Sequence, residues 1–186
     1  LTSLKYCPKK IGGDFTCSYN NITSLERAPK EVSGYFNCSS NLLTSLKGCP
    51  KQVTDQGFNF SHNNLTSLEG GPKEAISVFY CNDNNLTSLE GGPKEVDSRF
   101  NCGDNDLISL KGCPEKVRGG FRCYNNKNLK DIKDLPKLNY NQKVNFDDTP
   151  FEEISKILNN NGFNLSEYVK DYDKIHKFGD DSIIIQ

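Results

Sequence analysis

The sequence predicts a β-rich solenoid, with one parallel β-sheet on a concave face, extended convex segments and a small α-helical C-terminal cap. Three observations lead to this prediction. A Leu-Thr-Ser-Leu motif or a close variant recurs at a near-constant interval, a proline follows each copy, and an apolar-variable-apolar triplet follows each proline. A fixed period of about 20 to 30 residues is typical of solenoids, in which each coil contacts only its neighbours.

The recurring motif sets the length of each coil. Its copies start 21, 21, 22, 21 and 21 residues apart, at Leu1, Ile22, Leu43, Leu65, Leu86 and Leu107. The prolines that follow them are Pro8, Pro29, Pro50, Pro72, Pro93 and Pro114. Because proline has no N–H to donate, the segments that contain it are expected to lie outside the main sheet.

The triplets predict one short strand in each coil. Alternation with a period of two places the outer two side chains in the interior and the middle one on the exposed face. The triplets span residues 15–17, 36–38, 58–60, 79–81, 100–102, 121–123 and, in a degenerate seventh coil, 144–146. We therefore expect a solenoid of about seven coils over residues 1–148.

An asparagine stands three residues after each of the first six triplets and predicts a ladder at one corner of the stack. A carboxamide at a sharp turn can satisfy backbone groups that the turn leaves unpaired. The members of this ladder are Asn20, Asn41, Asn63, Asn84, Asn105 and Asn126. Thr149 stands where the next asparagine would be, so the ladder is expected to end there.

The eight cysteines follow the repeat rather than a disulfide or zinc pattern. Five of them share one strand position with Phe60 and Phe146 in other coils. A position that also accepts phenylalanine is an apolar interior position, where free cysteine behaves as a small hydrophobe. The chain contains no C-x-x-C pair, so we expect no structural zinc site. We expect reduced thiols, which fit a reducing cytoplasm.

The frame of the repeat, with an apolar-x-apolar strand and an asparagine before the next leucine, resembles the leucine-rich repeat. The Leu-Thr-Ser-Leu-x-x-x-Pro segment is similar to the short repeats of bacterial secreted effectors. The Phe-x-Cys-Ser-x-Asn form with Lys-Gly-Cys-Pro-Lys is closer to leucine-rich-repeat proteins encoded by bacteriophages. Some similar effectors carry a ubiquitin-ligase domain with a cysteine nucleophile, but here the tail is short and no cysteine follows Cys123.

Residues 149–186 differ in composition and predict the cap. Thr149-Pro150-Phe151-Glu152 is typical of a helix start, and apolar residues continue at helical spacing to Leu158. A second helix is expected over 166–178 and a short strand over 182–185. We interpret the segment as a cap over the open end of the stack, with a small binding or effector module as the alternative. We interpret His176 and its neighbouring aspartates as a polar helix face.

The resemblance implies that a partner binds the concave face, through the exposed positions within and beside each strand. Tyrosine and arginine most often dominate the energetics of protein interfaces. Two aspartates add an acidic patch that we expect beside Arg99. The predicted binding residues are Tyr19, Tyr35, Tyr80, Asp83, Arg99, Asp104, Arg122 and Tyr124.

The composition narrows the classes of function. The net charge is −1 and no basic stripe is present, which argues against binding to nucleic acid. No apolar run is long enough to cross a membrane. Since no nucleophile-base motif, phosphate loop or metal spacing occurs, we expect no enzymatic activity, no cofactor and no metal.

We therefore predict a non-enzymatic protein-binding module. The phage-like repeat indicates a cytoplasmic phage protein that binds and inhibits a host defence protein through the concave face, the C-terminal tail or both. One alternative is a secreted bacterial effector or adhesin. Another is small-ligand binding or catalysis at the junction of solenoid and tail. Two copies are also expected to be able to pair through the sheet edge near Leu1.

Overall fold

The repeat folds as a parallel β-solenoid of about six turns, and the described residues contain almost no helix. The protein is seen here in a computed structural model, which describes residues 1–51, 53–75, 77–136 and 143–152. Successive coils stack in sequence order, because the strand of each coil pairs with the strand of the next. The solenoid predicted from the period is confirmed.

The strands are short and fall into two series. In chain order they are β1 (Lys10–Ile11), β2 (Phe15–Thr16), β3 (Glu31–Val32), β4 (Phe36–Asn37), β5 (Gly57–Asn59), β6 (Glu74–Ala75), β7 (Val78–Tyr80), β8 (Glu95–Val96), β9 (Phe100–Asn101), β10 (Lys116–Val117), β11 (Phe121–Arg122) and β12 (Val144–Asn145). One series forms a seven-stranded parallel sheet in the order β12-β11-β9-β7-β5-β4-β2. These are the strands that the triplets predict.

The second series was not predicted from the sequence. Strand β1 pairs with β3, and β6, β8 and β10 form a three-stranded parallel sheet. Each of these strands has two residues, of which only one is apolar, such as Val96 in β8. One apolar residue cannot show the alternation that predicts a strand. These segments come into register only because coils of nearly equal length stack on one another.

A row of phenylalanines fills the interior behind the seven-stranded sheet. Phe36, Phe58, Phe79, Phe100 and Phe121 are all buried. Ring centroids of successive members from Phe15 onward lie 5.1 to 6.3 Å apart, which is the spacing of interacting aromatic pairs. Burial of each such ring contributes roughly 1.5–3 kcal/mol, so the row is a large part of the cohesion between coils.

The predicted asparagine ladder is present, and each member from Asn41 to Asn126 bridges two coils. The Nδ2 group of Asn84 donates to the carbonyl of Phe60 at 3.1 Å, in the preceding coil. It also donates to the carbonyls of Cys81 and Asn82, in its own coil. Its Oδ1 accepts the N–H of Leu65, in the preceding coil, at 2.9 Å. The same arrangement recurs at Asn41, Asn63, Asn105 and Asn126.

The strand cysteines pack as the sequence predicts, in the interior. Cys38, Cys81, Cys102 and Cys123 are fully buried, and all eight cysteines are free. Burial raises the pKa of Cys102, and the neighbouring Cys123 thiol adds to the effect. Burial likewise raises the pKa of Cys81. The Cys81 and Cys102 thiols therefore remain protonated and weakly nucleophilic at neutral pH.

Lysine side chains form a second set of hydrogen bonds between successive coils. The ammonium group of Lys51 donates to the carbonyl of Gly70, in the next coil, at 2.8 Å. Lys30 and Lys73 make the equivalent bonds, each 3.1 Å long. Gly70 has φ of 83°, and an added Cβ would lie 2.8 Å from the backbone nitrogen of Lys47. Glycine is thus required where one coil passes close to another.

The end of the ladder is capped by a hydroxyl. Thr149 Oγ1 donates to the carbonyl of Phe146 at 2.7 Å and accepts the N–H of Phe151 at 3.1 Å. The Glu152 carboxylate accepts the N–H of Asp148 at 3.4 Å. The rest of the predicted cap lies outside the described residues, including both helices, the 182–185 strand and His176. Within the described part of the chain, no helix is long and apolar enough to span a membrane.

The ladder leads to a prediction that a pair of adjacent asparagines can test. Replacing Asn84 with Ala leaves the buried N–H of Leu65 without its partner. It also removes one of the two hydrogen bonds at each of the three carbonyls, which keep a second donor. An unsatisfied buried group costs about 1–3 kcal/mol and each lost hydrogen bond about 0.5–1.5 kcal/mol, so we expect a loss of about 3 kcal/mol in the free energy of unfolding. Urea denaturation measures it.

The neighbouring Asn85 is exposed and serves as the matched control. The same substitution there should change the free energy of unfolding by less than about 0.5 kcal/mol. Equal effects at the two positions would show that the ladder does not stabilise the stack.

Candidate functional site

The candidate site is the outer face of the seven-stranded sheet, opposite the phenylalanine row. We call it the outer sheet face and define it by the exposed columns in and beside the strands. Alternation along each strand turns the middle side chain of every triplet outward. All eight predicted binding residues lie in these columns, within coils one to six.

Three asparagines of the middle column have a structural role that sequence reasoning missed. Oδ1 of Asn37 accepts the N–H of Ser39 at 3.0 Å, and Oδ1 of Asn59 accepts that of Ser61 at 2.9 Å. Asn101 makes the same bond to Gly103 and is only 8% exposed. These local turns fix the chain as it leaves each strand. The asparagines therefore support the face rather than being free for recognition.

Tyr35 and Tyr80 form one group on the outer sheet face. Burial of the phenol raises the pKa of Tyr35; an interaction with the Asn59 side chain opposes this, and the nearby Tyr80 adds to the rise. Both tyrosines are half-buried. Because Asn59 lies in the coil between them, the three side chains run across coils two to four as a row of two rings and an amide.

Tyr124 belongs to a second, acidic group with Asp83 and Asp104. Its ring covers Gly103, where an added Cβ would lie 2.5 Å from the Tyr124 Cε1. Burial raises the pKa of Tyr124, and the Asp104 and Asp83 carboxylates add to the rise. Gly103 is thus the residue that lets the ring lie across the preceding coil.

Polar partners hold both carboxylates of the acidic group in place. Asp104 Oδ1 accepts a hydrogen bond of 2.6 Å from the Asn125 amide. Asp83 Oδ1 lies 3.4 Å from His62 Nδ1. The sequence interpretation expected this acidic patch beside Arg99, but among the residues that the structure describes no ion pair joins Arg99 to either aspartate.

Tyr19, Arg99 and Arg122 are exposed. Within the described ranges, no hydrogen bond or ion pair holds the Tyr19 hydroxyl or either guanidinium group. Tyr19 is 85% exposed. The three side chains are therefore the part of the predicted set that can reach a partner without first breaking an internal contact.

One column of the outer sheet face has an unusual backbone. Its residues adopt left-handed φ between 49° and 55°, at Tyr19, Ser40, His62, Asp83, Asp104, Asn125 and Asp148. Asparagine and aspartate tolerate this conformation best among residues other than glycine. Aspartate and asparagine are enriched at the position just before the ladder asparagine, and this enrichment was the sequence signal for the left-handed conformation. Tyr19 is a bulky exception, and its side chain is exposed.

A polar depression of about 350 Å³ lies beside the asparagine ladder. It is lined by Asn84, Asp104, Asn105, Asp106, Asn125, Lys127 and Asn128. No group of three or more histidine, cysteine, aspartate or glutamate side chains in the described ranges is placed to hold a metal ion.

The fold defines the class of this protein as a parallel β-solenoid. No model of a protein family matches the chain, and neither a curated protein nor a solved structure matches it. The class rests on the parallel coils, their register and the ladder described above.

The conformation of Tyr19 leads to a stability prediction. In the left-handed region a Cβ costs about 1–2 kcal/mol, whereas glycine adds about 0.5–1 kcal/mol of backbone entropy to the unfolded chain. Tyr19→Gly should therefore raise the free energy of unfolding by about 0.5 kcal/mol, measured by urea denaturation.

Tyr6 is the matched control, because it is 89% exposed and is not among the residues with left-handed φ. Tyr6→Gly should lower the free energy of unfolding by about 0.5–1 kcal/mol. If both variants are destabilised alike, Tyr19 is not strained.

Proposed function

We propose that the chain is a non-enzymatic module that binds a partner protein on the outer sheet face. The observation that carries the proposal is the set of exposed anchors, Tyr19, Arg99 and Arg122, on a sheet whose backbone is held by the asparagine ladder. Among the residues that the structure describes, no hydrogen bond or ion pair holds these side chains. Large side chains of these two types contribute most to protein interfaces when a partner desolvates them.

The strain at Tyr19 supports the same proposal. A tyrosine in the left-handed conformation costs stability, and burial offsets little of that cost because the ring is 85% exposed. Residues held in unfavourable conformations cluster at functional sites. A partner that covers the ring would supply the missing compensation.

The half-buried groups have a different part in the proposed interface. The Tyr35–Asn59–Tyr80 row and the Tyr124 group are already packed, so they bind without a large loss of side-chain entropy. We propose that they form the flat centre and that the free arginines adapt at the edge. The two aspartates would favour a partner with basic groups at matching spacing.

The biological setting proposed here rests on the repeat itself. We propose a leucine-rich repeat of the bacteriophage type and a cytoplasmic protein that binds and inhibits a host defence protein. The supporting features are the Phe-x-Cys-x-x-Asn frame and the buried free thiols of the strand position. Pairing of two copies through β2, the edge strand, stays a prediction.

A pull-down from bacterial lysates tests the outer sheet face. The bait pair is the wild-type chain and a variant with Tyr19, Arg99 and Arg122 all changed to Ser. Since a truncated hot spot costs about 2 kcal/mol, loss of even one weakens binding roughly 30-fold, and the variant should lose the partner. Mass spectrometry identifies what only the wild type recovers.

A matched control carries the same number of changes at exposed residues outside the seven-stranded sheet, namely Tyr6→Ser, Arg27→Ser and Lys130→Ser. It should recover the partner as well as the wild type does. A partner that both variants retain would place the binding surface elsewhere on the chain and contradict the proposal.

A further inference from the structure

Cys17 and Cys38, the first two of the five strand cysteines, make a direct contact between their thiol groups. The Sγ atoms of Cys17 and Cys38 lie 3.0 Å apart. Farther along, Cys81 Sγ donates to the carbonyl of Asn101 at 3.4 Å, and Cys102 Sγ donates to that of Arg122 at 3.3 Å. Cys102 also interacts with the Cys123 thiol, so what distinguishes the first pair is the direct contact of 3.0 Å between its two sulfurs.

We propose that Cys17 and Cys38 are a redox pair, which a hydroperoxide converts into a disulfide that links the first two coils. Neither the repeat pattern nor the proposed partner binding requires this property. It follows from the placement of two sulfurs side by side in an otherwise inert row.

The register of the strands permits the bond. Thr16 pairs with Asn37, so the cysteines that follow them stand opposite each other on adjacent strands. Neighbouring strands lie about 4.8 Å apart, within the Cα separation of about 4.4–6.8 Å found for disulfides. The sulfurs must close by about 1 Å to reach a bond length of about 2.05 Å, which a small rotation of both side chains supplies.

Cys17 is the better placed of the two to react first. It is 4% exposed, whereas Cys38 is fully buried. The hydrogen bond with Cys38 lowers the pKa of Cys17, while burial raises the pKa of Cys38. Reactive cysteines are those that reach the thiolate form and the solvent, so Cys17 is the attacking residue and Cys38 the resolving one.

The reaction balances with a hydroperoxide as the oxidant. The Cys17 thiolate attacks one peroxide oxygen, the O–O bond breaks, and the leaving oxygen takes a proton, which leaves a sulfenic acid on Cys17. The Cys38 sulfur then attacks the Cys17 sulfur, the S–O bond breaks, and water leaves with the Cys38 proton. With hydrogen peroxide, two thiols lose two electrons in total and two waters form.

The test is a hydrogen peroxide titration of the folded, fully reduced chain. Remaining thiols are then alkylated in denaturant with N-ethylmaleimide, and the chain is digested with trypsin. Cleavage after Lys10, Arg27, Lys30 and Lys47 gives the peptides 11–27 and 31–47, each with one cysteine. Mass spectrometry without reduction detects the linked peptides, and dithiothreitol should release them.

We expect the 11–27 and 31–47 peptides to be linked at peroxide doses that leave Cys81 and Cys102 fully alkylated. In Cys38→Ala the sulfenic acid on Cys17 should persist and react with dimedone, while Cys81→Ala should cross-link as the wild type does. Three results would overturn the proposal. In the wild type, Cys17 could be oxidised without becoming linked to Cys38, or Cys102 could become linked to Cys123 to the same extent. The third such result is that no cysteine of the folded chain is oxidised.

Discussion

A carboxamide at one corner of every coil is the interaction on which the stack depends. After each short strand the chain turns, and the turn leaves carbonyls and an N–H unpaired at a place that the next coil covers. The asparagine side chain supplies two N–H donors and one acceptor at the required reach, and so satisfies groups in two coils together. Aspartate has no donor there, and the Thr149 hydroxyl has only one, which is used on Phe146.

The proposed binding face is possible because other side chains hold the coils together. Because the ladder and the phenylalanine row hold the coils from the inside, the outward side chains of the seven-stranded sheet are free to differ between coils. Some of them still serve the fold, as Asn37 and Asn59 do in their turns. Others, such as Arg99 and Arg122, have no internal partner among the described residues. The face is thus part scaffold and part free surface, on a backbone that the repeats hold in register.

The period and the residue types predicted the features that repeat. The triplets placed the main strands, and the recurrence of Phe and Cys at one position predicted burial of residues such as Cys81 and Phe60. The second series of strands could not be predicted, because segments such as Glu95–Val96 gain their pairing only from equal coil lengths. The contact of Tyr124 with Gly103 was missed for a related reason, since it depends on a small residue one coil away. Gly103 and Tyr124 occupy the same column in successive coils, so comparing successive residues within that column would have revealed the contact.

Native-state hydrogen exchange of the wild-type chain tests the role of the ladder most directly. The amides of Leu43, Leu65 and Leu86 lie outside every strand, yet each donates to a ladder asparagine in the next coil. If the carboxamides hold the stack, these amides exchange as slowly as those of Phe79 and Phe100 in the sheet, through opening of the whole stack. Exchange at the rate of exposed turn amides such as Lys47 would contradict the account, because the asparagine side chains would then contribute little to the stability of the stack.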